Sequence, residues 1–208
     1  MQSNSVASGG AGTSPEREKK PLRLFVVGKR LVGRIMALNA LFQMAVGGLG
    51  LEEARNNALK SVDREFLEPI YSGRPMSELY VSNELEHVGE YLKDESFVSF
   101  VDSLIRGVSE HSSELEERIS SCLVNWDYDR VGNVERIILK IASYEMIYDD
   151  DVKPEVAIDQ AVRLGKIFCY DDGGRFINGV LAGVYRSVTG KVIDPERNEN
   201  AESENEED

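Results

Sequence analysis

The sequence predicts an all-α protein of about six or seven helices, and three features carry that prediction. Apolar residues recur every three to four positions, no stretch alternates polar and apolar residues for long, and Gly and Pro stand where such runs begin or end. With 41% hydrophobic and 29% charged content, the 208 residues suit one folded domain or two small packed ones.

In chain order, residues 1–28 are rich in Ser, Gly, Ala and charge and lack periodicity, so they are expected to form a disordered basic extension, with Leu22 to Val27 at most one edge strand. Leu31, Ile35, Leu38, Phe42 and Ala45 line one face of a first helix. Gly47-Gly48-Leu49-Gly50 follows it. That run has neither the preceding strand nor the Gly-Lys-Ser/Thr ending of a phosphate loop, and it reads as a helix cap and turn. Ala54, Ala58, Val62 and Phe66 form a second helical run, and Phe97, Phe100, Val101, Leu104, Ile105 and Val108 another. Between them Pro69, Ser72-Gly73 and Pro75 break the chain, so Tyr80, Leu85 and Leu92 belong either to a short helix or to a long loop.

Trp126-Asp127 is expected near a hinge that divides residues 29–125 from a C-terminal subdomain at 126–193. There, Val134, Ile138, Ile141, Glu145 and Tyr148 share one helical face. Ala157, Ala161, Leu164 and Phe168 share the next, after a Pro154-Glu155 start with Asp151 as a candidate cap. Phe176, Val180, Val184 and Val188 make the last. Gly173-Gly174 is expected to separate these two helices, and Gly190, with Pro195 beyond, to end the final one. Residues 194–208 read as an acidic disordered tail.

The longest apolar run near the N-terminus, Leu24 to Val27, is far short of the roughly 18 residues of a membrane span, and a cytoplasmic protein is expected. Cys122 and Cys169 form no Cys-x-x-Cys pair and are read as buried, reduced thiols. Asp127-Tyr128-Asp129 begins like a calcium loop, but Val131 and Ile138 stand at later ligand positions. His87 and His111 are too far apart to suggest a metal site or an acid/base pair. No catalytic, metal or cofactor motif emerges.

The net charge of −13 argues at first against a nucleic-acid partner, yet it is unevenly divided. Residues 1–34 carry seven basic and two acidic groups, a balance of +5, whereas residues 194–208 carry eight acids and one Arg, a balance of −7. The asymmetry suits a basic arm for nucleic acid or an acidic partner, and a tail that keeps nonspecific RNA away; the alternative is that both termini merely solubilise the chain. Arg30 and Arg34, four residues apart beside Lys29, are expected to project from the helix face opposite Leu31, Ile35 and Leu38. Outward guanidinium forks suit phosphates, and exposed rings suit unpaired bases.

Two segments together carry a family resemblance. Arg30-Leu31-Val32-Gly33-Arg34, running into Ala37-Leu38-Asn39-Ala40-Leu41-Phe42-Gln43, resembles the first helix of the NusB transcription antitermination factors. The second segment runs from Trp126 through Val134-Glu135-Arg136-Ile137-Ile138-Leu139, Tyr144-Glu145-Met146, Val156-Ala157-Ile158-Asp159-Gln160-Ala161-Val162 and Gly165-Lys166 to Arg175-Phe176-Ile177-Asn178-Gly179-Val180-Leu181. It is similar to the C-terminal half of that family. The resemblance covers residues 29 to 190, with 52 to 95 matching poorly.

What the resemblance implies is an all-α, NusB-like fold of two packed three-helix bundles and a function without catalysis or cofactor. The implied partners are boxA RNA of ribosomal-RNA leader transcripts, the small-subunit ribosomal protein NusE as heterodimer, and the RNA polymerase antitermination complex. RNA contact falls to Lys29, Arg30, Arg34, Asp172, Arg175 and Phe176, and NusE contact to Phe42, Asp129 and Glu135. Three departures stand out: Leu31 and Val32 thin the basic motif beside Arg30, Asp159-Gln160 moves a charge, and Gly173-Gly174 replaces polar residues. Glu145 and Asn178 are expected to be buried polar groups, bonded to helix ends or to each other. The alternative function is a NusB-like interaction module without RNA binding, for example in ribosome assembly.

Overall fold

The computed structural model describes residues 28–60, 88–169 and 172–190. Among them are eight α-helices and no strand: α1 (Lys29–Gly47), α2 (Leu51–Lys60), α3 (Val88–Tyr91), α4 (Glu95–Glu110), α5 (Ser112–Ser121), α6 (Asn133–Tyr148), α7 (Pro154–Phe168) and α8 (Gly173–Thr189). A 3-10 turn, Tyr128–Arg130, precedes α6. The all-helical expectation holds. The helix count is higher than the sequence suggested because residues 88–91 form a single turn and the chain bends at His111, which ends α4 and starts α5. Leu22–Val27, the run through Val62, Phe66 and Tyr80, and the acidic tail lie outside the described residues.

Helix α1 is the centre of the molecule. Every residue from Leu31 to Leu41 is buried, because α2, α4 and α6 each pack against a different side. A helix enclosed on all sides has no polar face, so its few polar residues must find partners inside. The expected stripe is correct for Leu31, Ile35 and Leu38, but Ala45 is exposed where the last turn leaves the core. Gly48 then ends the helix at φ 69°, a left-handed geometry costly for a side chain bearing Cβ, and its N–H bonds to the Gln43 carbonyl.

Helices α1, α2 and α4 form one bundle, and α6, α7 and α8 the other, with α5 laid against α6 and α8. Asp94 caps α4 by accepting the Ser96 N–H at 2.9 Å. In the second bundle Ile138, Leu139, Ile141 and Phe168 are at most 1% exposed, each such side chain contributing about 1.5–3 kcal/mol by leaving water. Pro154 occupies the first turn of α7 as expected, but Asp151 is not its cap; the Asp151 N–H bonds instead to the Asp149 carboxylate at 3.0 Å. Tyr148 and Val188, at the ends of their stripes, are 37% and 40% exposed.

Gly173-Gly174 does not separate the last two helices; it is the first turn of α8. The reason is close packing. A Cβ on Gly165 of α7 would fall 2.5 Å from Ile177 Cδ1 and 3.2 Å from the Gly174 Cα, so two glycines let the helices cross almost backbone to backbone. This crossing fixes where α8 begins.

Candidate nucleic-acid interface

The two ends expected to meet RNA are the first turn of α1 and the first turn of α8, and the structure treats them differently. In α1, Lys29 forms an ion pair with the Asp94 carboxylate and stands 5.3 Å from the Tyr91 ring centroid. That pair, with the bonds from Ser96, holds the Asp94 carboxyl well below the usual carboxylate range. Arg30 is exposed, its guanidinium 4.2 Å above the Phe100 ring. Beside it runs a shallow groove of about 450 Å³ rimmed by Tyr148, Asp149, Asp150 and Asp151. An acidic rim of this kind opposes a phosphate.

Arg34 does not project outward, and this corrects the expectation. It is 3% exposed, with Nε and Nη2 donating to the two Glu145 carboxylate oxygens at 2.9 and 2.7 Å. The pair joins α1 to α6 across the two bundles, a bidentate geometry that satisfies both buried charges. Burial holds the Glu145 carboxyl above its ordinary range, and the Arg34 charge works against that shift. Glu145 is therefore the buried structural group expected, but its partner is Arg34. Asn178 is exposed on α8 rather than buried, which removes it from that role.

At α8 the expected residues come together. Asp172 and Arg175 form an ion pair while remaining 79% and 85% exposed. Asp172 makes no side-chain cap, and the Phe176 N–H bonds to its carbonyl at 2.9 Å. Phe176 is half-buried against the core, its ring centroid 6.2 Å from that of Trp126 and tilted by 57°. Lys166 of α7 lies alongside, its Cγ 3.1 Å from where a Gly174 Cβ would stand. Trp126 and Lys166 were not singled out as site residues from the sequence. For Trp126 the available signal was a tryptophan between Asn125 and Asp127, a polar setting unlike that of a core aromatic.

The expected partner-facing acids flank the entry to α6. Asp129 is exposed on the 3-10 turn, which Arg136 pins to the helix by donating to the Val131 carbonyl at 2.8 Å while covering the Tyr128 ring. Glu135 is half-buried and folds back toward Gly132, where a Cβ would meet its Oε2 at 2.2 Å. Burial, with the Glu135 charge beside it, pushes the Cys169 thiol well up, so that thiol stays protonated. Phe42 is half-buried on α1.

Comparisons with known proteins agree with this architecture. The pattern that defines the NusB family matches residues 32–186. The transcription antitermination protein NusB of Bacillus subtilis is 35% identical over 160 residues, covering 77% of this chain and 97% of its own. That of Clostridium botulinum is 33% identical over 152 residues, covering 73% and 96%. Among solved structures, T. maritima NusB superposes with a TM-score of 0.57 at 23% identity, covering 82% of this chain and 96% of that one. A complex of the antitermination factors NusB and NusE with dsRNA gives a TM-score of 0.56 at 21% identity, covering 76% and 97%. The match spans both helical bundles and the corner where α7 meets α8, and on it this chain belongs to the NusB family.

Proposed function

We propose that this chain is an RNA-binding transcription antitermination factor that, with NusE, binds boxA of ribosomal-RNA leader transcripts and helps RNA polymerase resist premature termination. The observation that carries this reading is the family match across residues 32–186, of which the relatives bear the antitermination name. The protein works in the cytoplasm and without catalysis. Among the described residues no helix is long and apolar enough to cross a membrane.

The RNA side of this reading is the α8 corner. Arg175 supplies an exposed guanidinium for phosphate, Phe176 the ring behind it, and Asp172 sets the Arg175 fork. Lys29 and Arg30 add positive charge at the start of α1, while Arg34 serves the fold. NusE meets the acidic entry to α6, at Asp129 and Glu135 with Phe42 as an apolar contact, because carboxylates suit a basic ribosomal protein. One observation favours the alternative of a protein-interaction module without RNA: the Asp149–Asp151 rim beside Arg30 weakens that end for phosphate.

A titration separates the two readings. A single-stranded boxA leader fragment, added to the full chain with and without NusE, should bind more tightly with NusE, and affinity should fall with salt by a log–log slope of about −0.7 per phosphate contact. Absence of RNA binding even with NusE present would reject the RNA reading in favour of the protein-only module.

A further inference from the structure

Trp126 is the only tryptophan of the chain, and it is 56% exposed. Tryptophan is the largest apolar side chain, and leaving more than half of it in water forgoes burial that the fold has no evident reason to give up. Its position is not slack. Cys122, at the end of α5, packs so closely on α8 that a Cβ on Gly183 would fall 3.0 Å from the Cys122 Cβ. Asn125 then takes the left-handed backbone geometry, at φ 60°. Phe176 supports one side of the indole through the tilted ring contact at 6.2 Å, a favoured aromatic geometry. The indole is thus held from behind while much of its surface stays open.

The neighbouring residues suggest what fits there. Arg175, next in sequence to the supporting Phe176, is 85% exposed, and Lys166 lies along the same turn. Three acids stand near this corner: Asp172 pairs with Arg175, Asp127 follows Trp126 on the chain, and Glu135 reaches the Cys169 thiol, which packs against Gly173. An open indole seated on Phe176, whose sequence neighbour Arg175 is an exposed guanidinium, matches an unpaired base with a flanking phosphate. The geometry points to Trp126 as the residue on which an unpaired RNA base stacks, with Phe176 as the positioning residue that holds the indole in place. This inference rests on the RNA-binding reading above and reassigns its aromatic contact from Phe176 to Trp126.

A lone tryptophan reports on itself. Titrating the full chain, in the presence of NusE, with a single-stranded boxA leader oligonucleotide should quench its indole emission. NusE enters this comparison as a variant free of tryptophan. Trp126→Leu should weaken RNA binding by roughly 5- to 100-fold, the loss expected for one base–aromatic stack. Trp126→Phe should recover part of it. Neither change should alter the melting temperature appreciably or the slope of affinity against salt, because the lost contact is not ionic. If Trp126→Leu binds RNA like the wild type and wild-type emission is unmoved, the stacking role is overturned while the RNA-binding function stands. If Trp126→Leu loses NusE and keeps RNA, the indole is a protein contact and the inference is overturned. If the wild type binds no RNA with NusE present, both this inference and the function on which it rests are overturned.

Discussion

The first turns of α1 and α8 carry similar ingredients, arginine beside aromatic rings, and place them in opposite surroundings. At α1, Lys29 is paired with Asp94, Arg30 lies over Phe100, and Arg34 is locked to Glu145 inside the protein. At α8, Arg175 stands in solvent paired with the equally exposed Asp172, and Trp126 is open against the neighbouring Phe176. The difference follows from position in the fold. Helix α1 is surrounded from Leu31 to Leu41, so a cation within that span, as Arg34 is, must meet a carboxylate or disrupt the core. Helix α8 starts at a corner, where its first turn keeps a free side. Whether a basic residue is tied into the fold or left in solvent depends on how many neighbours its helix has, and the spacing of the arginines does not report that.

The largest effect is expected at Arg34. Arg34→Ala should cost about 3–5 kcal/mol of stability by stranding the buried Glu145 carboxylate, read as a lower denaturant midpoint. Replacing both partners, Arg34→Met with Glu145→Leu, should recover most of that loss; an unchanged midpoint for Arg34→Ala would show that the pair is not structural. Next is the crossing that sets the α8 corner. Gly165→Ala should cost about 1–3 kcal/mol as α7 and α8 are forced apart, and it should weaken RNA binding as well because Arg175 and Phe176 move with the helix. A melt and an RNA titration that both match the wild type would mean the helices have room to give.

A smaller effect is expected from pH. Burial raises the Asp102 pKa, but the hydrogen bonds from Arg55 and Arg106 outweigh it and hold the carboxyl below its ordinary range. The stability Asp102 contributes is therefore present above the ordinary carboxylate range and lost as pH falls through its lower folded value. Asp102→Asn should be less stable than the wild type near neutral pH, with the gap closing in acid; a gap constant with pH would contradict the assignment. The smallest effect belongs to Lys29→Ala. That exposed pair should leave the thermal melt within experimental scatter of the wild type.

Particular residues show what was legible beforehand. Ala157, Ala161, Leu164 and Phe168 mark α7 in sequence as they do in space, since one helical face decides their burial. Gly48 and Gly190 mark helix ends because the chain turns there with positive φ. Arg34 was misread because its partner lies 111 residues away, and periodicity carries no information about such a contact. The expectation of an outward Arg30/Arg34 face assumed that α1 had a solvent side at both positions. Phe176 lies in the first turn of α8, but the indole that rests against it, Trp126, comes from a separate segment brought in by the packing of α5 on α8.

The most direct test compares salt dependence at the two turns. Affinity for the boxA leader fragment, with NusE present, is measured across a range of salt for the wild type, for Arg175→Ala and for the Arg34→Met/Glu145→Leu pair. If α8 faces RNA and Arg34 only holds the fold, Arg175→Ala should weaken binding and lower the magnitude of the salt slope by about 1 or less, as loss of one phosphate contact does, while the core replacement keeps the wild-type slope. The opposite pattern, a slope reduced by the core replacement and untouched by Arg175→Ala, would contradict the account.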